Sequence, residues 1–157
     1  MRRKKYYPGR LEYVIVVALV IAGVLFFTGR ERKDVDFCRL MFSRLISGRQ
    51  SVEKFIDWEN LKAVGSDVGE EYRKLPNAEE RNKYKKAFIE FFRRGFKEGG
   101  GEFKAFTDWR AYKEGNKTVV VAADYRRHKK ILLLTVFKGR PRKITALEWE
   151  AMDEALE

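Results

Sequence analysis

A chain of 157 residues suits one compact domain with an appendage and leaves no room for two full domains. Its single cysteine excludes an intramolecular disulfide, and with only one histidine beside it a four-ligand Cys/His zinc site is excluded too. The formal net charge is +11, and twelve Phe, seven Tyr and three Trp supply the bulk for a packed core.

Arg2, Arg3, Lys4, Lys5 and Arg10 head the chain, and a charge-free run follows from Tyr13 to Gly29. As a helix rising about 1.5 Å per residue, this run spans roughly 25 Å, enough for a bilayer if Arg10 and Arg30 snorkel. It has no polar face of the kind a surface helix shows. It ends Leu25-Phe26-Phe27-Thr28-Gly29, without the small-residue pattern of a signal-peptide cleavage site. The expectation is an uncleaved signal anchor. Residues 1–12 are then a cytoplasmic basic tail, 13–29 a single transmembrane helix and 30–36 a short linker. Residues 37–150 form an extracytoplasmic α+β domain, and 151–157 a C-terminal tail or helix end. The heavier basic flank sets this single-pass orientation.

Beyond the run, Asp34 or Asp36 is placed to cap a helix reaching about Ser47, with Phe37, Leu40, Met41 and Leu45 as its apolar stripe and Gly48 as its stop. Ser51 can cap a short second helix carrying Val52, Phe55 and Ile56. Residues 57–76 show no clear period. Asn77 with Glu80 then opens the strongest helix as a capping box, and Tyr84, Phe88, Phe91, Phe92 and Phe96 recur at helical spacing until Gly99-Gly100-Gly101. From Glu102 the period becomes two. Strands are expected at 102–112, 117–125, 130–138 and 142–149, joined by short turns. The predicted fold class is α+β: N-terminal helices packed on a four-stranded antiparallel meander, behind one transmembrane helix.

This order of elements resembles the cystatin-like, nuclear-transport-factor-two-like cone superfamily over about residues 34–150. The aromatic helix Asn77–Lys97 and the strand opening Phe106-Thr107-Asp108-Trp109-Arg110 carry the resemblance. It implies a long helix lying in the concavity of a curved sheet. The early extra strand of many cone domains is not located in this sequence.

Chemistry is sparse. His128 sits in a turn among Arg126, Arg127, Lys129 and Lys130, and reads as a solvated surface residue. Cys38 reads as a small core residue. Gly99-Gly100-Gly101 follows a helix, whereas a phosphate loop precedes one. No catalytic residue, cofactor or metal is expected. Tyr84, Phe88, Phe92 and Trp109 are the candidate lining of a cavity between the 77–97 helix and the sheet. Asp108 and Asp124 are strand residues that could enter such a cavity beside Tyr84 and Tyr112, which would suit a general base.

Basic residues concentrate at the turns. Lys138, Arg140, Arg142 and Lys143 gather at one end of the meander with the 113–117 turn, and Arg126 and Arg127 at the other. They are candidate contacts for anionic surfaces, lipid headgroups first. Nucleic acid is disfavoured by the extracytoplasmic placement. The functional expectation is a non-enzymatic membrane-anchored protein. Its cone-like domain binds a protein partner, or a second copy, as an accessory or assembly subunit of an envelope complex. In layout this resembles the membrane-anchored assembly subunits of type IV secretion systems. The alternative is a carrier for lipid or another small hydrophobic ligand, similar in element order to periplasmic phospholipid-shuttle proteins. A cone-fold enzyme with a buried Asp is the third reading.

Overall fold

The computed structural model describes residues 10–152; before Arg32, the side chains described are those of 15, 17–21 and 29. Most of the tails assigned to 1–12 and 151–157 lies outside the described residues. Packing divides the chain into a unit ending at Lys33 and a unit beginning at Asp34.

The first helix, α1, runs unbroken over Arg10–Ile46. The expected linker at 30–36 is therefore helical. Arg30, Glu31, Arg32 and Lys33 are good helix formers, and a lone Gly29 does not stop a helix. Among the described residues no helix is long and apolar enough to cross a membrane. That finding overturns the transmembrane anchor at 13–29. The signal-anchor reading and the cytoplasmic-to-extracytoplasmic orientation go with it. The charge-free run is shorter than the about 20 residues a span ordinarily needs and continues into a charged segment of the same helix. Most side chains of the run lie outside the described residues.

From Asp34 onward, α1 buries Cys38, Met41, Phe42 and Leu45, at spacings of three and four. This face is rotated from the expected stripe, and Leu40 is exposed. A 3₁₀ segment follows at Gln50–Phe55. Residues 57–76, which carry no clear sequence period, form two short strands, β1 (Lys62–Ala63) and β2 (Ser66–Asp67), and a helix, α2 (Val68–Lys74). Val64 and Gly65, at φ 51° and 78°, make the two-residue turn between the strands. The Asp67 carboxylate caps α2 by accepting from the Glu70 amide. The long helix, α3, spans Ala78–Glu98 and is capped by the Asn77 side chain, which accepts from the Glu80 amide.

Four longer strands follow: β3 (Phe106–Glu114), β4 (Thr118–Tyr125), β5 (Lys130–Phe137) and β6 (Lys143–Ala151). They lie close to the expected segments, but the sheet is not a four-stranded antiparallel meander. It has six strands in the order β2-β1-β6-β5-β4-β3, and β1 pairs parallel with β6. Two-residue strands carry too little periodicity to read from sequence, and β1 earns its place through Val64, whose amide donates to the Leu147 carbonyl at 2.8 Å.

Alternation sorts the sheet faces. Val119, Val121, Ala123 and Tyr125 of β4, and Leu132, Leu134 and Val136 of β5, join Phe42, Leu45 and Ile89 in one core. Phe42 is fully buried at the centre of an aromatic cluster. Its ring centroid lies 4.9 Å from Phe106, 5.8 Å from Phe96 and 6.1 Å from Trp109. The opposite face carries a smaller cluster of Ala122, Ile131 and Leu133. Arg142, just before β6, donates to the buried Asp34 carboxylate at 2.6 Å and ties the α1 segment to the sheet.

Candidate functional site

The last turns of α3 do not close completely on the sheet. Between them lies an open pocket of about 380 Å³. Phe91, Phe92, Gly95 and Phe96 line it from α3, Gly99 and Gly101 from the following loop, Val64 from the β1–β2 turn, and Tyr125, Lys130 and Trp149 from the sheet, with His128 at its lip.

Each wall has a local cause. Phe92 and Phe96 are one helical turn apart and share a face, while Phe91, on the neighbouring face, is 68% exposed at the pocket's edge. Gly95 leaves a gap in the helix surface: a Cβ built there meets no heavy atom within 4 Å. At Gly101 the chain folds back over Phe96, where a Cβ would stand 2.7 Å from the ring. Val64 is a β-branched residue held at φ 51° and 58% exposed, a strained conformation at the pocket mouth.

The far wall is an aromatic stack. Tyr125 lies face to face with Phe106, centroids 4.5 Å apart and planes 4° from parallel. His128 covers it at 4.6 Å and 26°, and Trp149 stands 5.9 Å away. The 3₁₀ turn Arg126–His128, closed by Lys129 at φ 50°, folds the imidazole back over Tyr125. Lys130 pairs with Tyr125 across β4 and β5 and so shares the inward row with Leu132, Leu134 and Val136. It is the charged member of that row. Among the described residues lining the pocket there is no carboxylate.

Of the four candidate lining residues, Phe92 lines this pocket. Phe88 packs edge-on against Trp58, 5.5 Å between centroids, and Trp109 donates to the Phe106 carbonyl at 3.2 Å. The Tyr84 hydroxyl donates to Glu71 at 2.9 Å, and burial, reinforced by that bond, pushes its pKa up to about 12. His128, Lys130, Trp149 and Val64 are not legible as pocket residues from sequence. The parity of β5, which places a lysine in an inward apolar row, is the signal that points to one of them.

Asp108 and Asp124 each meet an arginine. Arg110 donates to Asp124 at 2.7 Å, and Arg126 bonds Asp108. Asp124 alternates with Ala123 and Tyr125 and so faces away from the pocket. Among the basic turn residues, Arg142 is engaged by Asp34, Lys138 by Glu114 and Arg126 by Asp108. Arg127 and Arg140 are exposed, and Lys143 is half-buried. The Lys138–Glu114 pair joins the 113–117 and 138–143 turns at one end of the sheet. Burial, then the nearby Asp34 carboxylate, push the Cys38 thiol far up, which keeps it protonated and unreactive.

No family model, no curated protein and no solved structure matches this chain.

Proposed function

We propose that the domain is a binding module for a small, largely apolar ligand, seated between the C-terminal half of α3 and the sheet. The carrying observation is the aromatic pocket. Its volume of about 380 Å³ falls within the range of small-molecule sites, and its walls are aromatic rings with two polar groups at the rim. The strained Val64 and the helix-interior Gly95 both lie on the pocket, and both cost stability that the fold could otherwise keep. The long helix α3 lies against the sheet's core face and forms one wall of this space.

A protein partner that inserts an apolar side chain is the second reading, favoured by the exposed Phe91 and Val64 at the mouth. The free edge of β3 is a poor docking strand. Two register irregularities and Asp108 at φ 51° interrupt it.

Titration with N-phenyl-1-naphthylamine, a neutral dye that fluoresces in apolar surroundings, tests the proposal. The full chain is expected to bind one dye, and Gly95→Phe, which fills the gap in α3, to abolish binding while keeping the helical circular dichroism. Dye binding that is absent, or that survives Gly95→Phe, overturns it.

A further inference from the structure

We propose that this pocket selects an anionic ligand, a carboxylate carried on a flat apolar body, with the carboxylate held at the rim by Lys130 and His128. The inference rests on the reading of the pocket as a ligand site and adds the ligand's charge.

Three observations carry it. The pocket's ionisable lining consists of one ammonium, one imidazole and one phenol, with no carboxylate among the described residues to neutralise them. Lys130 stands at the end of an otherwise apolar inward row, lines the pocket and is exposed, as a long side chain with an apolar stem and a solvated head can be. His128 is held by its stack on Tyr125, which fixes the ring at the lip. The turn that carries it also holds Arg127 and Lys129, both exposed, which lend the mouth a positive potential that draws anions in. The aromatic walls, Phe92, Phe96 and Trp149, favour a planar body over a flexible chain because rings stack at low entropic cost. A ligand lying between those walls places a terminal carboxylate at the rim, where an N–H of each group can donate to it.

The test is displacement of bound N-phenyl-1-naphthylamine from the full chain by two probes that share a ring system, 2-naphthoate and 2-naphthalenemethanol. The carboxylate is expected to displace the dye at about tenfold lower concentration than the alcohol, as one charge-assisted contact allows. Lys130→Gln and His128→Gln are each expected to cut that preference to about threefold, and the double variant to erase it. Raising the salt concentration is expected to narrow it as well. Both side chains are exposed, and because His128 stacks on the core residue Tyr125, a thermal melt of each variant checks that the fold is retained. If the dye binds but the two probes displace it equally, the anion inference is overturned while the pocket reading stands. A preference that persists in the double variant also overturns it. If the dye does not bind the native chain, the pocket reading fails and takes this one with it.

Discussion

Gly95 separates the demands of folding from those of the pocket. It lies in the last turns of α3, and its φ is not in the left-handed region, so an L-residue fits without backbone strain. A Cβ there meets nothing within 4 Å. Glycine costs about 1 kcal/mol relative to alanine in a helix interior, and somewhat less near an end. Gly95→Ala is therefore expected to stabilise the domain by about 0.5–1 kcal/mol. That corresponds to about 2–5 °C in a thermal melt followed at 222 nm. Gly95→Phe regains part of the same propensity and puts its ring into the pocket, so the melt should not fall while dye binding is lost. Stability and binding would then move independently at one position. A Gly95→Ala protein that melts below the native one would refute the reasoning, because the glycine would then be serving packing and not an opening.

Val64→Asn relieves a β-branched residue at φ 51° and creates an Asn-Gly turn; chemical denaturation is expected to show a gain of about 1 kcal/mol, with weaker dye binding from the less apolar lip. Phe42→Ala empties the centre of the aromatic cluster and is expected to cost about 3–5 kcal/mol, lowering the urea midpoint by about 2 M. Arg142→Ala leaves the Asp34 carboxylate buried without its partner and is expected to cost about 2 kcal/mol, with Asp34→Asn in the same chain recovering part of it. Cys38 is expected to resist a thiol reagent until the chain is unfolded. Its folded-state pKa lies above its ordinary value of 9.0, so the folded protein keeps a proton that the unfolded chain releases. Its contribution is intact below that pH and is lost above it, at up to about 1.4 kcal/mol per pH unit. Denaturation at about pH 8.5 and about pH 10 is expected to show a larger loss in the native chain than in Cys38→Ala. Equal losses would mean the thiol is hydrated.

Much of this domain is written in local signals. The N-cap at Asn77, the aromatic period of α3 and the alternation of β4 and β5 are each decided within a few residues. The Asn77 side chain needs only the Glu80 amide, and a strand's parity needs only its own backbone. Long-range pairing is another matter. Nothing within Lys62–Ala63 announces a strand, because its order comes from Ala146 and Leu147, far along the chain. Nor does residue type alone decide which aromatics pack and which line a space. Phe88 and Phe92 share a helical face, yet Trp58 meets Phe88 while Phe92 borders the opening. His128 reads as a solvated turn residue until Lys129 turns the chain back and lays the imidazole on Tyr125. The sequence alone determined the Asn77 cap of α3 and the segments of the four long strands, since each depends on neighbours in the chain, whereas the caps expected at Asp34 or Asp36 and at Ser51 do not form. Only the tertiary structure decided the sheet order and the pocket, since each depends on surfaces that meet after distant segments have packed.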